Sequence, residues 1–273
     1  MRNVTEESKM KKIIVLILAA MLTLTANPTI AEETPAMTPE EKYNQAMAYQ
    51  MTGDLANGLP LLMQSAEEGY AEAQYIMGEF NQSGDWATPN YEEALKWNEL
   101  AVAQDHPRAK VNLGILYMKG LAVEVDYEKA MELFISADAQ NDMKAPRYVG
   151  YMYENGLGRD ANAHEAAKWY QIGADRGDIT SKYYLGRLYE RGEGVEQDYS
   201  KAMELYLASS GRNDHVSAAS QLAVGKLYRN GLGVDQDLVQ AHEWINRAAQ
   251  NGSEEAAEIL KELAPSEQET ADN

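Results

Sequence analysis

One spacing constrains this chain more than any other feature. The segment "YYLGRLYERGEGV" carries a glycine, Gly186, inside an apolar stretch, and the same setting recurs at Gly78, Gly114, Gly150 and Gly225. The gaps are 36, 36, 36 and 39 residues. A self-similar period of this size marks stacked helical hairpins, each unable to bury its apolar face alone.

Further columns follow each glycine. Three residues on stand Tyr117, Tyr153, Tyr189 and Tyr228, with Asn81 departing in the first copy. Six on stand Gly84, Gly120, Gly156, Gly192 and Gly231; eight on stand Gly158, Gly194 and Gly233, with Trp86 and Ala122 in the first two copies. Twelve on stand Asn90, Asp126, Asn162, Asp198 and Asp237. Ala94, Ala130, Ala166, Ala202 and Ala241 follow at sixteen, and Trp97, Leu133, Trp169, Leu205 and Trp244 at nineteen. Each column has a physical reading. A mid-helix glycine costs about 1 kcal/mol against alanine, so close helix packing must offset it. The glycine six residues on suits the left-handed residue that stops a helix. The Asp/Asn column is placed to cap the next helix. The alanine column keeps that helix close to its partner, and the Trp/Leu column, on the same face, is expected to fill the core.

Five full copies are thus expected, preceded by a shorter unit with a break at Gly53-Asp54. The amphipathic segment 253–263 reads as a capping helix, because the open end of a repeat stack needs a polar outer side. The resulting division is a signal peptide at 1–31, a polar linker at 32–40, a repeat domain at 41–263 and a disordered acidic tail at 264–273. The signal reading rests on Lys9, Lys11 and Lys12, the apolar run from Ile13 to Ala26, and Thr29 and Ala31 before the expected cut. Met10 is an alternative start, since Glu6 and Glu7 are unusual in the leading part of a signal.

Composition narrows the function. There is no cysteine, so an exported chain has neither a lipidated cysteine nor a disulfide, and stability must come from packing. Tyr at 17 against Phe at 2 suits half-buried positions in a thin, extended architecture. Residues 1–31 carry four cations and two carboxylates, so the net charge of −19 becomes −21 once they are removed. Such a surface repels nucleic acid and anionic lipid and steers a basic partner.

The columns at 185–207 resemble the Sel-one-like repeat family, a relative of the tetratricopeptide repeat with a longer inter-helix loop. The resemblance extends over about 41–263. It implies an all-α, right-handed superhelical solenoid of antiparallel helix pairs that holds other proteins. Exported members of the family include regulators of envelope sensor kinases, partners of wall-remodelling enzymes, and immunity proteins against toxic effectors such as lipases. A cysteine-rich subgroup is linked to β-lactam binding or hydrolysis, and this chain lacks the cysteines of that subgroup.

Catalytic signatures are missing. His106, His164, His215 and His242 are the only histidines. His164 and His242 precede glutamates without the second histidine of a zinc protease, and they read as solvent-facing. "GEGVEQD" and "GLGVDQD" repeat with the period, so helix termination explains their glycines, and "DQD" at 235–237 lacks the rest of a calcium loop. No cofactor or metal is expected.

By resemblance to tetratricopeptide repeats, the first helices of the pairs line a concave face. The partner-binding residues expected there are Tyr75, Glu79, Ile115, Met118, Arg147, Tyr151, Tyr183, Arg187, Lys226 and Arg229. Their offsets differ by three or four, which places them on one helical face. The cations in the second half suggest an acidic helix or peptide as partner, unless Glu154 and Glu190 neutralise them. The three extra residues within 209–220 are expected in a loop. The chain reads as a periplasmic, non-catalytic envelope adaptor or regulator, monomeric when unbound and without a membrane span after signal cleavage. The alternatives are an immunity protein or, from another class, a wall-active or β-lactam-binding enzyme.

Overall fold

The computed structural model describes residues 36–83, 88–212 and 214–263. The expected signal peptide and tail therefore lie outside the described residues. Thirteen helices and no strand occur among those described. They fall into two compact units, divided after Glu124.

The first unit holds α1 (Pro39–Met51), α2 (Leu55–Glu67), α3 (Ala71–Ser83), α4 (Tyr91–Ala103) and α5 (Pro107–Lys119). Helix α1 starts at a reciprocal cap: Thr38 Oγ1 accepts from the Glu41 backbone N–H, and Glu41 accepts from the Thr38 N–H at 2.7 Å. Residues 39 and 40 of the expected linker are thus the first turn of a helix. Consecutive helices pack in this unit, and α3 also touches α5.

The second unit holds α6 (Tyr127–Asp138), α7 (Ala145–Asn155), α8 (Ala163–Asp175), α9 (Ile179–Arg191), α10 (Tyr199–Ser209), α11 (His215–Asn230), α12 (Leu238–Gln250) and α13 (Glu254–Leu263). Helices α7 and α8, α9 and α10, and α11 and α12 pair, while α7, α9 and α11 touch side by side. The C-terminal helix α13 covers α12, where Leu222, Ile245, Ala248 and Ala256 form a cluster with Ile259 and Leu260.

The repeat columns act as their chemistry dictates. Asn90, Asp126, Asn162, Asp198 and Asp237 each cap a second helix through the side chain. Gly120, Gly156, Gly192 and Gly231 end the first helices in the left-handed conformation. The loops after Gly156, Gly192 and Gly231 then close on themselves, as the Asp198 N–H donates to the Tyr189 carbonyl at 2.9 Å. Gly194 adopts φ +70° with its Cα facing the Ala163 backbone, where a Cβ would come within 2.2 Å. That glycine locks one repeat to the helix start of the preceding one, and His164 Nδ1 lies 3.1 Å from its carbonyl oxygen.

Two expectations hold in part, and Trp97, Leu133 and Leu205 of the Trp/Leu column are core residues at 7% exposure. The deepest core column is one residue later than the Trp/Leu column: Asn98, Phe134, Tyr170, Tyr206 and Ile245 are all fully buried. A Cβ on Gly150 would sit 2.7 Å from the Tyr170 ring, and one on Gly186 2.9 Å from Tyr206. The anchor glycines thus make room for that later column, and Trp169 and Trp244 stay half-exposed. The three extra residues are divided between a loop and a helix: α10 ends at Ser209 and α11 starts at His215, a longer connection than that between Asp175 and Ile179. Helix α11 itself has 16 residues, against 13 in α9, with Asp214 capping its start.

Candidate functional site

The ten expected binding residues divide between the two units. In the first unit, Tyr75 and Glu79 lie on α3, and Ile115 and Met118 on the neighbouring α5. Tyr75 is 5% exposed and Met118 8%. Tyr75 stacks on His106 with ring centres 4.9 Å apart, and its hydroxyl donates to Glu79 at 3.0 Å. His106 caps α5 and reaches Glu72 at 2.8 Å. Tyr75 and Met118 therefore serve packing, while Glu79 and Ile115 are half-buried.

In the second unit the expected residues ride on α7, α9 and α11. Three of the four cations that suggested an acidic partner are paired within the chain. Arg147 meets Asp178 at 3.2 Å, Arg187 meets Glu154 at 3.0 Å and Lys226 meets Glu255 at 2.6 Å. Arg229 is exposed and forms no ion pair among the described residues. The pairing with Glu154 was foreseen. Glu190 instead accepts from Tyr206, at 2.5 Å.

Tyrosines knit these pairs together. Tyr170 donates to Glu154 at 2.6 Å and stacks on Tyr184 at 5.2 Å. The Arg187 guanidinium lies over Tyr184 at 5.4 Å and over Tyr183 at 6.0 Å. Burial first, then the Glu154 charge and hydrogen bond, pushes the Tyr170 hydroxyl far above its ordinary pKa. Burial, with the Glu190 hydrogen bond and charge, does the same for Tyr206. Both phenols are thus fixed as neutral donors to a carboxylate.

Beside this network an open groove of about 610 Å³ lies between α9, α11 and the start of α13. Tyr183, Arg187 and Glu190 come from α9, with Tyr206 behind them from α10. Ala219, Leu222, Ala223 and Lys226 come from α11, and Ser253 and Glu255 from the capping segment. The groove exists because α11 carries Ala223 two residues before its anchor glycine, where α7 and α9 carry Tyr148 and Tyr184. It unites Tyr183, Arg187 and Lys226 of the expected set, while Arg147, Tyr151 and Arg229 are not among its lining residues. Tyr206 and Glu255 were missed. The later core column varies too much in chemistry to read as a column, although Ala223 in a tyrosine position was a visible signal.

Such a groove offers aliphatic and aromatic walls beside charged groups. His164 and His242 are exposed. Among the described residues no three of His, Asp and Glu converge as metal ligands. No described helix is long and apolar enough to cross a membrane.

Comparison with known proteins agrees with this architecture. The family described as Sel1 repeat matches residues 71–106, 107–142, 147–178, 180–214 and 218–253. No curated protein matches the chain. Among solved structures, a Sel1 repeat protein from Oxalobacter formigenes is similar at 28% identity and a TM-score of 0.72, over 82% of this chain and 90% of that one. A protective antigen of uropathogenic Escherichia coli strains, displaying an SLR fold, is similar at 26% identity and a TM-score of 0.65, over 84% of this chain and 50% of that one. An immunity protein from Pseudomonas aeruginosa shares the fold at 15% identity and a TM-score of 0.52, over 84% of this chain and 89% of that one.

Proposed function

This chain belongs to the Sel1 repeat family, and from that premise we propose that it is a non-catalytic protein-binding module of the bacterial envelope. The observation that carries this reading is the groove between α9, α11 and α13, of about 610 Å³, with tyrosine, leucine and alanine beside fixed charges. Tyrosine anchors and a desolvated aliphatic wall are what protein recognition uses. We place the partner segment there, across Tyr183, Arg187 and Lys226. Export to the periplasm rests on the signal-like residues 1–31. The role proposed is that of an adaptor or regulator. Neutralisation of a secreted effector is a special case of the same binding, and a neighbour at 15% identity supports only its fold.

The test is a photo-crosslinking amino acid placed at Ala219 inside the groove, or at His242 on α12 as a control. The expected result is one protein captured from the periplasmic fraction at 219 and not at 242. Capture at both positions, or at neither, would remove the groove from consideration. Turnover of a wall or lipid substrate by the purified chain would end the non-catalytic reading. N-terminal sequencing of the periplasmic protein checks export, with a start near Glu32 expected.

A further inference from the structure

Glu154 and Glu190 hold the same repeat position, four residues after Gly150 and Gly186. Each accepts a buried tyrosine hydroxyl, from Tyr170 at 2.6 Å and Tyr206 at 2.5 Å. Their second oxygens differ. Glu154 Oε1 receives Arg187 Nη2 at 3.0 Å, with that guanidinium over the Tyr184 ring. One repeat on, Lys226 stands in the Arg187 position, but the capping helix draws it away to Glu255. Glu190 therefore has no ion pair among the described residues. Ala223 stands where Tyr184 would be, and the space left open is the groove.

We propose that this groove takes an arginine side chain of the partner protein, its guanidinium pairing with Glu190 as Arg187 pairs with Glu154. The inference rests on the groove being the protein-binding site. The walls fit the rest of such a side chain. Ala219, Leu222 and Ala223 can cover its methylene stem, and Tyr183 offers a ring face to the guanidinium. Arg187 and Arg191 also line the groove, but Arg187 is held by Glu154, and Arg191 lies 3.9 Å from Glu193. The carboxylate left without a counter-ion is Glu190. As with Arg187 on Glu154, one guanidinium N–H meets the oxygen that Tyr206 leaves free, and an acidic side chain would be repelled. The chain's net charge of −19 favours approach of a cationic segment.

The probe is the tripeptide acetyl-Ala-Arg-Ala-amide, titrated into the full mature chain and followed by amide chemical shifts. Its citrulline counterpart keeps the shape and removes the charge. Expected are shifts at residues 183–191 and 219–226, with binding roughly tenfold weaker for citrulline and for Glu190→Gln, the worth of one charge-assisted hydrogen bond. Glu190→Gln keeps an acceptor for Tyr206, and circular dichroism checks its fold. A second variant, Ala223→Tyr, restores the tyrosine of the two preceding repeats and should abolish the shifts. Equal response to both peptides, an unchanged response in Glu190→Gln, or no response overturns the proposal. The same shifts on concentrating the protein alone would make a second copy the occupant and overturn it too. Crosslinking separates the two levels of inference. Capture lost in Ala223→Tyr but kept in Glu190→Gln sinks the arginine and leaves the groove; capture kept in both sinks the groove.

Discussion

At the scale of single residues, the molecule depends on pairs in which a missing side chain makes room for a large one. Gly150 is such a case. A Cβ there would lie 2.7 Å from two ring atoms of Tyr170, whose hydroxyl is tied to Glu154 and whose side chain is fully buried. Gly150→Ala gains helix propensity but overpacks the contact, and the net loss should be roughly 1–2 kcal/mol in urea unfolding. The tyrosines also set a pH dependence. The folded pKa of Tyr206 is raised by burial, then by the Glu190 hydrogen bond and charge, and that of Tyr170 by burial and Glu154. The unfolded chain loses these protons near pH 10 while the folded chain keeps them. The stabilisation is therefore complete below about pH 10 and falls as pH rises beyond it. Tyr206→Phe should cost about 1 kcal/mol at neutral pH, because Glu190 loses its donor, and should flatten the alkaline fall. Urea midpoints at about pH 8 and about pH 11 check both effects.

At the scale of elements, caps and loop glycines decide where each helix begins and ends. Asp198 accepts from the Lys201 N–H at 2.9 Å at the start of α10. Asp198→Ala should lower stability by about 1 kcal/mol with no change in urea m-value, which unfolding curves would show. These signals were legible because capping is local: Asp, Asn and Gly act on backbone groups within a few residues. The helix α11 shows where local reading stopped. The 39-residue gap was visible, yet three extra residues could enter a loop or a helix. Asp214, with its side chain accepting from the Ser217 N–H at 2.8 Å, moved the start of the helix back, and the Ala and Ser residues that follow do not resist helix. The expected core column holds only in part for a related reason: Trp97, Leu133 and Leu205 are buried, but the deepest positions lie one residue later. Trp and Leu at one position look like a core, but the adjacent position points at the anchor glycine, and only packing distinguishes them.

At the scale of the whole molecule, stacked repeats bury their faces on neighbours, and α13 takes the place of a neighbour against α12. Helix α13 covers Leu222, Ile245 and Ala248, all at most 6% exposed. A chain ending at Gln250 should lose on the order of 4 kcal/mol, the burial of two large aliphatic side chains. It should also self-associate on size exclusion, and unchanged elution and unfolding would refute the capping role. The repeat period alone determined the family, the number of repeats, the helix ends and the caps, because those depend on residues close together in sequence. The offsets also put Tyr183, Arg187 and Lys226 on one face of their helices. What the period could not determine was which charges would meet. Arg187 reaches back 33 residues to Glu154, and Lys226 reaches forward 29 to Glu255. Sequence spacing leaves several carboxylates within reach of each cation, and only the packing of neighbouring repeats selects one. That selection neutralised the expected basic face and left Glu190 open beside Ala223.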